Sequence, residues 1–150
     1  MHEYKDKWSV GAWMTSNPET VTPDTPVTQA FYQMRRLGFR QLPVVQDGQL
    51  VGIVTDRDLR RPDLTDEPDG WNNYYQLDRD TEVTHVMTEK VLTLSPPDPL
   101  EKALDLFLEN KFGGLPVLDR NDQVIGIMTV FDLMGAFRAA LDDVGDSLRQ

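Results

Sequence analysis

The chain has 150 residues, of which 39% are hydrophobic and 27% charged, and its formal net charge is -10. This acidic balance argues against a nucleic-acid-binding surface, because such a surface needs clustered lysine and arginine. Cysteine is absent from the sequence, which excludes disulfides and Cys-ligated metals, and no apolar run approaches the ~18 residues of a membrane span. With a charged first segment unlike a signal peptide, the sequence predicts a cytoplasmic domain without nucleic-acid or membrane partners.

An internal duplication organises the chain. Identical residues recur at a spacing of 73 positions and, after one inserted residue, at 74. The matched segments are Met14-Thr15 with Met87-Thr88, Leu42–Val44 with Leu115–Val117, Gly52-Ile53 with Gly126-Ile127, and Asp58-Leu59 with Asp132-Leu133. We therefore predict a first repeat over 1–61 with an N-terminal extension, a connector over 62–82, and a second repeat over 83–150 with a C-terminal helix.

Each copy predicts the same order of elements. A short β segment (20–22; 92–94) leads to a helix, where Thr25 and Asp98 are the predicted N-caps and the prolines that follow them the first helical residues. Two β-rich runs come next, joined across Asp47-Gly48 in the first copy and by a longer loop in the second. A second helix begins after Thr55 and after Thr129. The unit is β-α-β-β-α, an α+β fold with a small sheet covered by helices.

Two segments lie outside this repeated pattern. The final helix is predicted to continue to the chain end, with an apolar stripe that packs on the other copy or on a second subunit: Leu133, Met134, Phe137, Leu141, Val144 and Leu148. The connector 62–82 carries seven acidic residues and one basic residue, so it holds -6 of the net charge. Trp71, Tyr74 and Tyr75 have the spacing of one helical turn there, which fits either an anchored, solvated linker or an interaction surface.

The two tetrads Thr55–Asp58 and Thr129–Asp132 each follow a strand and open a helix. In one interpretation they are capping boxes that stabilise a helix start. In the other, the hydroxyl and the free amides hold a phosphate while the carboxylate accepts hydrogen bonds from a ribose diol. Arg40 and Arg57 lie beside the first tetrad and favour phosphate binding. The second copy has Gly113-Gly114 and Phe131 at the equivalent places, so its crevice is less charged.

No catalytic motif accompanies these tetrads. The sequence contains no Walker loop, G-x-G-x-x-G, H-E-x-x-H or nucleophile elbow, and its two histidines are isolated. The internal methionines are interpreted as core filling. The sequence therefore predicts neither an enzyme nor a metal site.

The repeated motifs resemble those of a tandem pair of CBS domains, the Bateman module. They are V-x-x-W-M-T and V-x-x-V-M-T at the copy starts, Leu-Pro-Val in the middle, and G-I-V-T-D-R-D-L and G-I-M-T-V-F-D-L at the ends. The resemblance covers residues 10–61 and 83–138. In arrangement the chain is similar to stand-alone bacterial CBS-pair proteins of the acetoin utilisation protein B type.

This resemblance implies a fold and a function. CBS repeats are related by a pseudo-twofold axis, and the clefts between them bind adenosine-containing ligands such as AMP, ADP, ATP or S-adenosylmethionine. Such pairs regulate an attached or partner protein, commonly associate as homodimers and require no cofactor, so an adenine nucleotide is expected here as a regulatory ligand. The alternative is a ligand-free oligomerisation or protein-interaction module.

The resemblance also implies roles for individual residues. Asp58 and Asp132 are expected to bind ribose, Thr55 and Thr129 phosphate, and Arg57 is a further phosphate-binding candidate. The residues before Leu-Pro-Val are expected to line the base, and the threonines of the opening motifs are additional candidates: Arg40, Gln41, Gly113, Gly114, Thr15 and Thr88. Phe131 departs from the first copy, which places phosphate binding in the second copy in doubt.

Overall fold

The computed structural model describes residues 6–59, 81–110 and 112–149. The chain forms two compact units, which we call the first-repeat unit (Glu19–Val91) and the second-repeat unit (Met1–Pro18 with Leu92–Gln150). The sequence division at 1–61, 62–82 and 83–150 assigned the N-terminal segment to the first repeat, whereas the structure packs it with the second. The helical turn predicted at Trp71, Tyr74 and Tyr75 lies outside the described residues.

The elements confirm a mixed α and β fold built from two copies of one unit. In chain order they are α1 (Val10–Trp13), β1 (Thr15–Ser16), α2 (Val27–Leu37), β2 (Gln41–Gln46), β3 (Gln49–Thr55), α3 (described over Asp56–Leu59), a 3-10 turn (Val83–His85), α4 (Leu100–Glu109), β4 (Gly114–Leu118), β5 (Val124–Thr129) and α5 (Val130–Leu148). The β segments predicted at 20–22 and 92–94 are single parallel bridges, Val21 to Val44 and Leu94 to Val117.

The antiparallel hairpins form as their turns predict. β2 and β3 are joined through Asp47 and Gly48, whose φ angles of 51° and 81° match the left-handed conformation that a two-residue hairpin turn requires. The loop between β4 and β5 is longer, and the Asp119 carboxylate organises it by accepting hydrogen bonds from the amides of Asn121 and Gln123. The inserted residue of the second copy therefore lies in a loop and leaves the strands intact.

Each unit is completed by a segment that we call its entry segment, residues 8–16 in the second-repeat unit and 81–88 in the first-repeat unit. The entry segments make the same contacts in both units. The amide of Leu100 donates to the carbonyl of Trp8 (2.9 Å), and the amide of Val27 donates to that of Thr81 (2.9 Å). Thr15 then pairs with Ile127, and Thr88 bridges to Ile53 in the same antiparallel sense. The duplication thus extends to the hydrogen bonds that hold the entry segments.

The N-terminal entry segment is held by its aromatic side chains and by α5. The rings of Trp8 and Trp13 are stacked with centroids 6.2 Å apart, and the Trp13 indole donates to the carbonyl of Lys7 (2.6 Å). The Lys7 ammonium forms an exposed ion pair with Asp143 of α5 (2.5 Å). The tryptophan stack is internal to the segment, and exposed pairs contribute little, at ~0–1 kcal/mol. The backbone bonds and the packing of Val10, Trp13 and Met14 in the core of the unit are therefore the main attachment.

The predicted N-caps are wrong by one residue. Pro26 and Pro99 are the N-caps of α2 and α4, and neither supplies a side-chain hydrogen bond. The hydroxyl of Thr25 accepts from the amide of Thr22, and the carboxylate of Asp98 accepts from that of Ser95. These side chains bond backward, so they stabilise the turn before each helix and leave the first amides of the helix to other acceptors.

The helices differ in how much apolar surface they bury. α2 buries Val27, Ala30, Phe31 and Met34, as its spacing predicts, whereas Ala103 is the buried apolar residue of α4. α5 confirms the predicted final helix, and Leu133 of its predicted stripe packs against the core of the unit. Seven other large apolar side chains of α5 remain exposed: Val130, Phe131, Met134, Phe137, Leu141, Val144 and Leu148. Met134 is 61% exposed, so its interpretation as core filling is wrong. Among the helices that the structure describes, none has the length and apolar character to span a membrane.

Candidate functional site

Both tetrads form reciprocal capping boxes. The amide of Thr55 donates to Asp58 Oδ2 (2.9 Å), and the amide of Asp58 donates to Thr55 Oγ1 (3.1 Å). Thr129 and Asp132 repeat this arrangement at 2.8 and 3.0 Å. Capping contributes ~0.5–2 kcal/mol to a helix start, so the structural interpretation of the tetrads is confirmed. It leaves room for ligand binding, because a carboxylate offers about four acceptor positions.

The strands bring the residues before Leu-Pro-Val beside these boxes. Gln41 lies opposite Thr55 across β2 and β3, and the carbonyl of Arg40 accepts from the amide of Asp56 (2.8 Å). In the second-repeat unit, Gly114 lies opposite Thr129, and the carbonyl of Gly113 accepts from Val130 (3.3 Å). The residues singled out in each copy therefore form one local cluster within its unit. We call these clusters the first-repeat site and the second-repeat site.

The threonines of the two entry segments behave differently at these sites. The hydroxyl of Thr15 donates to the Asp132 carboxylate, at 3.2 Å to Oδ1 and 3.4 Å to Oδ2. Thr88 makes its bonds through its backbone, with both hydrogen bonds to Ile53 at 2.9 Å. Within residues 6–59 and 81–110, no donor bonds to Asp58 Oδ1. Within the described part of the chain, Asp58 therefore accepts from fewer donors than Asp132.

The two sites also differ in charge. Arg40 and Arg57 of the first-repeat site are both exposed, and Gln41 of the same site is buried. At the positions of the two arginines the second-repeat site has Gly113 and Phe131, and the Phe131 ring is 80% exposed. The described residues contain no group of three or more carboxylate or imidazole side chains that could hold a metal ion.

Two glycines allow a close approach of the chain near the sites, a role that was not identified from the sequence. A Cβ on Gly52 would lie 2.7 Å from Met87 Sδ and 2.9 Å from the Thr88 carbonyl. A Cβ on Gly126 would clash with Met14 Sδ and would lie 3.1 Å from the Thr15 carbonyl. Each glycine thus lets an entry segment approach the strand that leads into the tetrad. The signal was present in the sequence, since glycine and Met-Thr recur together in both copies.

Thr15→Val is expected to destabilise the protein by ~0.5–1.5 kcal/mol, because valine keeps the shape of the side chain and removes the donor to Asp132. The matched control is Thr88→Val, whose exposed hydroxyl makes no such bond in the described chain, so its effect should stay within ~0.5 kcal/mol. Urea unfolding followed by fluorescence measures both changes. Equal destabilisation by the two variants would show that the Thr15 hydroxyl contributes nothing specific.

The comparisons with known proteins agree with the duplicated unit. The family model of the CBS domain matches residues 10–63 and 83–139. A CBS domain-containing protein of Dictyostelium discoideum is 35% identical over 135 residues, which are 87% of this chain and 92% of the relative. Other relatives are longer. The chain spans 45% of an archaeal relative and 21% of mycobacterial inosine-5'-monophosphate dehydrogenases.

Solved structures give the same result. The CBS-pair protein CBSX2 of Arabidopsis thaliana matches with a TM-score of 0.77 at 32% identity, over 90% of this chain and 95% of that one. A structure of CBSX2 in complex with AMP matches with a TM-score of 0.72 at 35% identity, over 90% and 97% of the two chains. The acetoin utilization protein AcuB of Vibrio cholerae matches with a TM-score of 0.74 at 26% identity, over 92% and 96%.

Proposed function

The chain belongs to the CBS-domain family as a tandem pair, and from this premise we propose that it is a non-catalytic regulatory module that binds an adenosine-containing ligand. The ligand class is AMP, ADP, ATP or S-adenosylmethionine. The observation that carries this proposal is the cluster of Thr55, Asp58, Arg40 and Gln41, which β2 and β3 assemble at one end of the sheet. Its support among relatives is CBSX2, which has been solved in complex with AMP.

The chemistry of this cluster suits a nucleotide. Asp58 Oδ2 is bound to the Thr55 amide, and among residues 6–59 and 81–110 no donor bonds to Oδ1, which could accept from a ribose hydroxyl. Such a bond is charge-assisted, because the acceptor is ionised, and contributes ~1.5–3 kcal/mol where water is excluded. The exposed guanidinium groups of Arg40 and Arg57 would bind phosphate oxygens, for which the planar fork of arginine is well matched. The Thr55 hydroxyl can serve the phosphate as a further donor while it accepts from the Asp58 amide.

Calorimetry with AMP, ADP, ATP and S-adenosylmethionine tests the proposal, and at least one of them is expected to bind. At a ligand concentration of 100 Kd, binding stabilises the folded chain by ~2.7 kcal/mol, which a thermal shift detects. The matched control ligand for AMP is 2'-deoxy-AMP, which lacks one of the hydroxyls that Asp58 would bind. We therefore expect 2'-deoxy-AMP to bind at least ~10-fold more weakly than AMP. An absence of heat and of thermal shift with all four ligands would contradict the proposal.

A second candidate function is a ligand-free oligomerisation module, which the exposed apolar side chains of α5 favour. Seven large apolar residues are exposed along this one helix, and contiguous exposed apolar surface marks interaction sites. Under this function the capping boxes only stabilise helices. A change at Asp58 would then alter the free energy of unfolding and leave the response to every nucleotide unchanged.

A further inference from the structure

The two sites carry different groups at equivalent positions, and we propose that they bind different ligands. The first-repeat site takes a phosphorylated adenosine ligand, and the second-repeat site takes an adenosine nucleoside without phosphate. This inference rests on the proposed function and refines it, because it assigns a ligand class to each site.

The first argument is charge. Arg40 contributes its carbonyl to the start of α3, and Arg57 is the second residue of that helix, so both arginines flank the Asp58 box. Gly113 and Phe131 hold the same two places beside Asp132. A phosphate in the first-repeat site meets two cations that offset the carboxylate. In the second-repeat site, a phosphate would meet the Asp132 carboxylate without an arginine at either of these two positions.

The second argument is the state of the carboxylate. Asp132 already accepts from the amide of Thr129 and from the hydroxyl of Thr15, on both of its oxygens. The donor from Thr15 fixes the Asp132 side chain, which can then accept from a ribose hydroxyl with its remaining lone pairs. Among the described residues, the Asp58 carboxylate accepts only from the amide of Thr55, so a new donor adds more to Asp58 than to Asp132. A ribose hydroxyl therefore adds more at the first-repeat site, while the distinction between a phosphorylated and a neutral ligand rests on the charges around each carboxylate.

The third argument is the lining of the second-repeat site. Phe131 is the second residue of α5 and exposes 80% of its surface, so a planar apolar ring stands in place of a guanidinium. Gly113 is exposed and carries no side chain, which allows a ligand to approach its backbone closely, whereas Gly114 is buried in β4. A ring beside open backbone fits a heterocyclic base, which stacks on aromatic side chains and bonds to backbone groups.

The test compares AMP and adenosine by calorimetry on the full chain and on five variants. Asp58→Asn and Asp132→Asn remove the charge of one carboxylate and leave an amide oxygen for the capping bond. Arg57→Ala removes one cation, with Arg36→Ala as its matched control, because Arg36 is an exposed arginine of α2 that belongs to neither cluster. Phe131→Arg places the missing cation in the second-repeat site.

We expect AMP to lose about tenfold or more of its affinity in Asp58→Asn and Arg57→Ala, and to change less than twofold in Asp132→Asn and Arg36→Ala. Adenosine should be weakened by Asp132→Asn and unaffected by Arg57→Ala, and Phe131→Arg should add a second AMP-binding event. AMP binding that is lost in Asp132→Asn and kept in Asp58→Asn would overturn the assignment. So would an equal loss of AMP and adenosine in Arg57→Ala. If the unaltered chain binds S-adenosylmethionine but neither AMP nor adenosine, this inference fails and the proposed function stands. If it binds none of AMP, ADP, ATP, S-adenosylmethionine and adenosine, both fail.

Discussion

Replacing Asp58 by alanine is expected to weaken AMP binding by about 10- to 150-fold, which corresponds to ~1.5–3 kcal/mol. The reason is that the carboxylate supplies the charged acceptor of the first-repeat site, with Oδ2 held by the Thr55 amide and Oδ1 without a donor among the described residues. Calorimetric titration of AMP into the variant and the unaltered chain measures the change. Asp105→Ala is the charge-matched control, because Asp105 is exposed on α4 and belongs to neither site.

The same substitution also removes a capping bond, so stability has to be separated from binding. Asp58→Ala should lower the free energy of unfolding by ~0.5–2 kcal/mol, whereas Asp58→Asn keeps an oxygen that accepts from Thr55 and should lower it less. Both variants should lose AMP affinity. If alanine lowers the melting temperature while AMP affinity stays within twofold, the box serves the helix alone and the oligomerisation module becomes the better function.

Gly126→Ala and Gly52→Ala are each expected to destabilise the protein by ~1–3 kcal/mol through overpacking. A methyl group on Gly52 would lie 2.9 Å from a backbone carbonyl that the bridge between Ile53 and Thr88 holds in place, so the side chain of Met87 cannot relieve the clash alone. Gly126 meets the equivalent atoms of Met14 and Thr15. Urea unfolding gives the size of the effect, and ligand titration reports whether the tetrad has moved.

Gly145→Ala is the matched control for these glycines. It lies within α5, and a Cβ there would meet nothing within 4 Å. Alanine has the higher helix propensity, so this variant should be stabilised by ~0.5–1 kcal/mol. A loss of stability at Gly145 as large as that at Gly126 would mean that steric contact with the entry segment is not the cause.

The repeated unit could be predicted because its signals are local. Asp47-Gly48 between two β-rich runs specifies a hairpin, and Val27, Ala30, Phe31 and Met34 mark the buried face of α2. The position of Thr25 could not be assigned correctly, because a threonine before a proline can bond backward to the turn or forward to the helix. Only the three-dimensional structure decides between these two bonds.

The candidate site was also predictable only where its contacts follow from local sequence signals. Arg40, Gln41 and Thr55 meet because the hairpin pairs the start of β2 with the end of β3, which the order of elements already implies. The bond between Thr15 and Asp132 joins residues 117 positions apart. No pattern within one repeat indicates this bond. Thr15 comes at the start of the first repeat in the sequence, but in the structure it belongs to the second-repeat unit.

Each entry segment begins one repeat in the sequence but belongs to the unit of the other repeat, and this arrangement affects folding during synthesis on the ribosome. Glu19–Val91 is one uninterrupted stretch, so all residues of the first-repeat unit are available as soon as residue 91 has emerged. The second-repeat unit combines residues from both sides of that stretch, Met1–Pro18 before it and Leu92–Gln150 after it. The segment with Trp8, Trp13 and Thr15 therefore has no partners in its unit until β5 and α5 are translated, and its apolar rings stay exposed until then. This nascent interval is the period in which the chain most needs protection from aggregation.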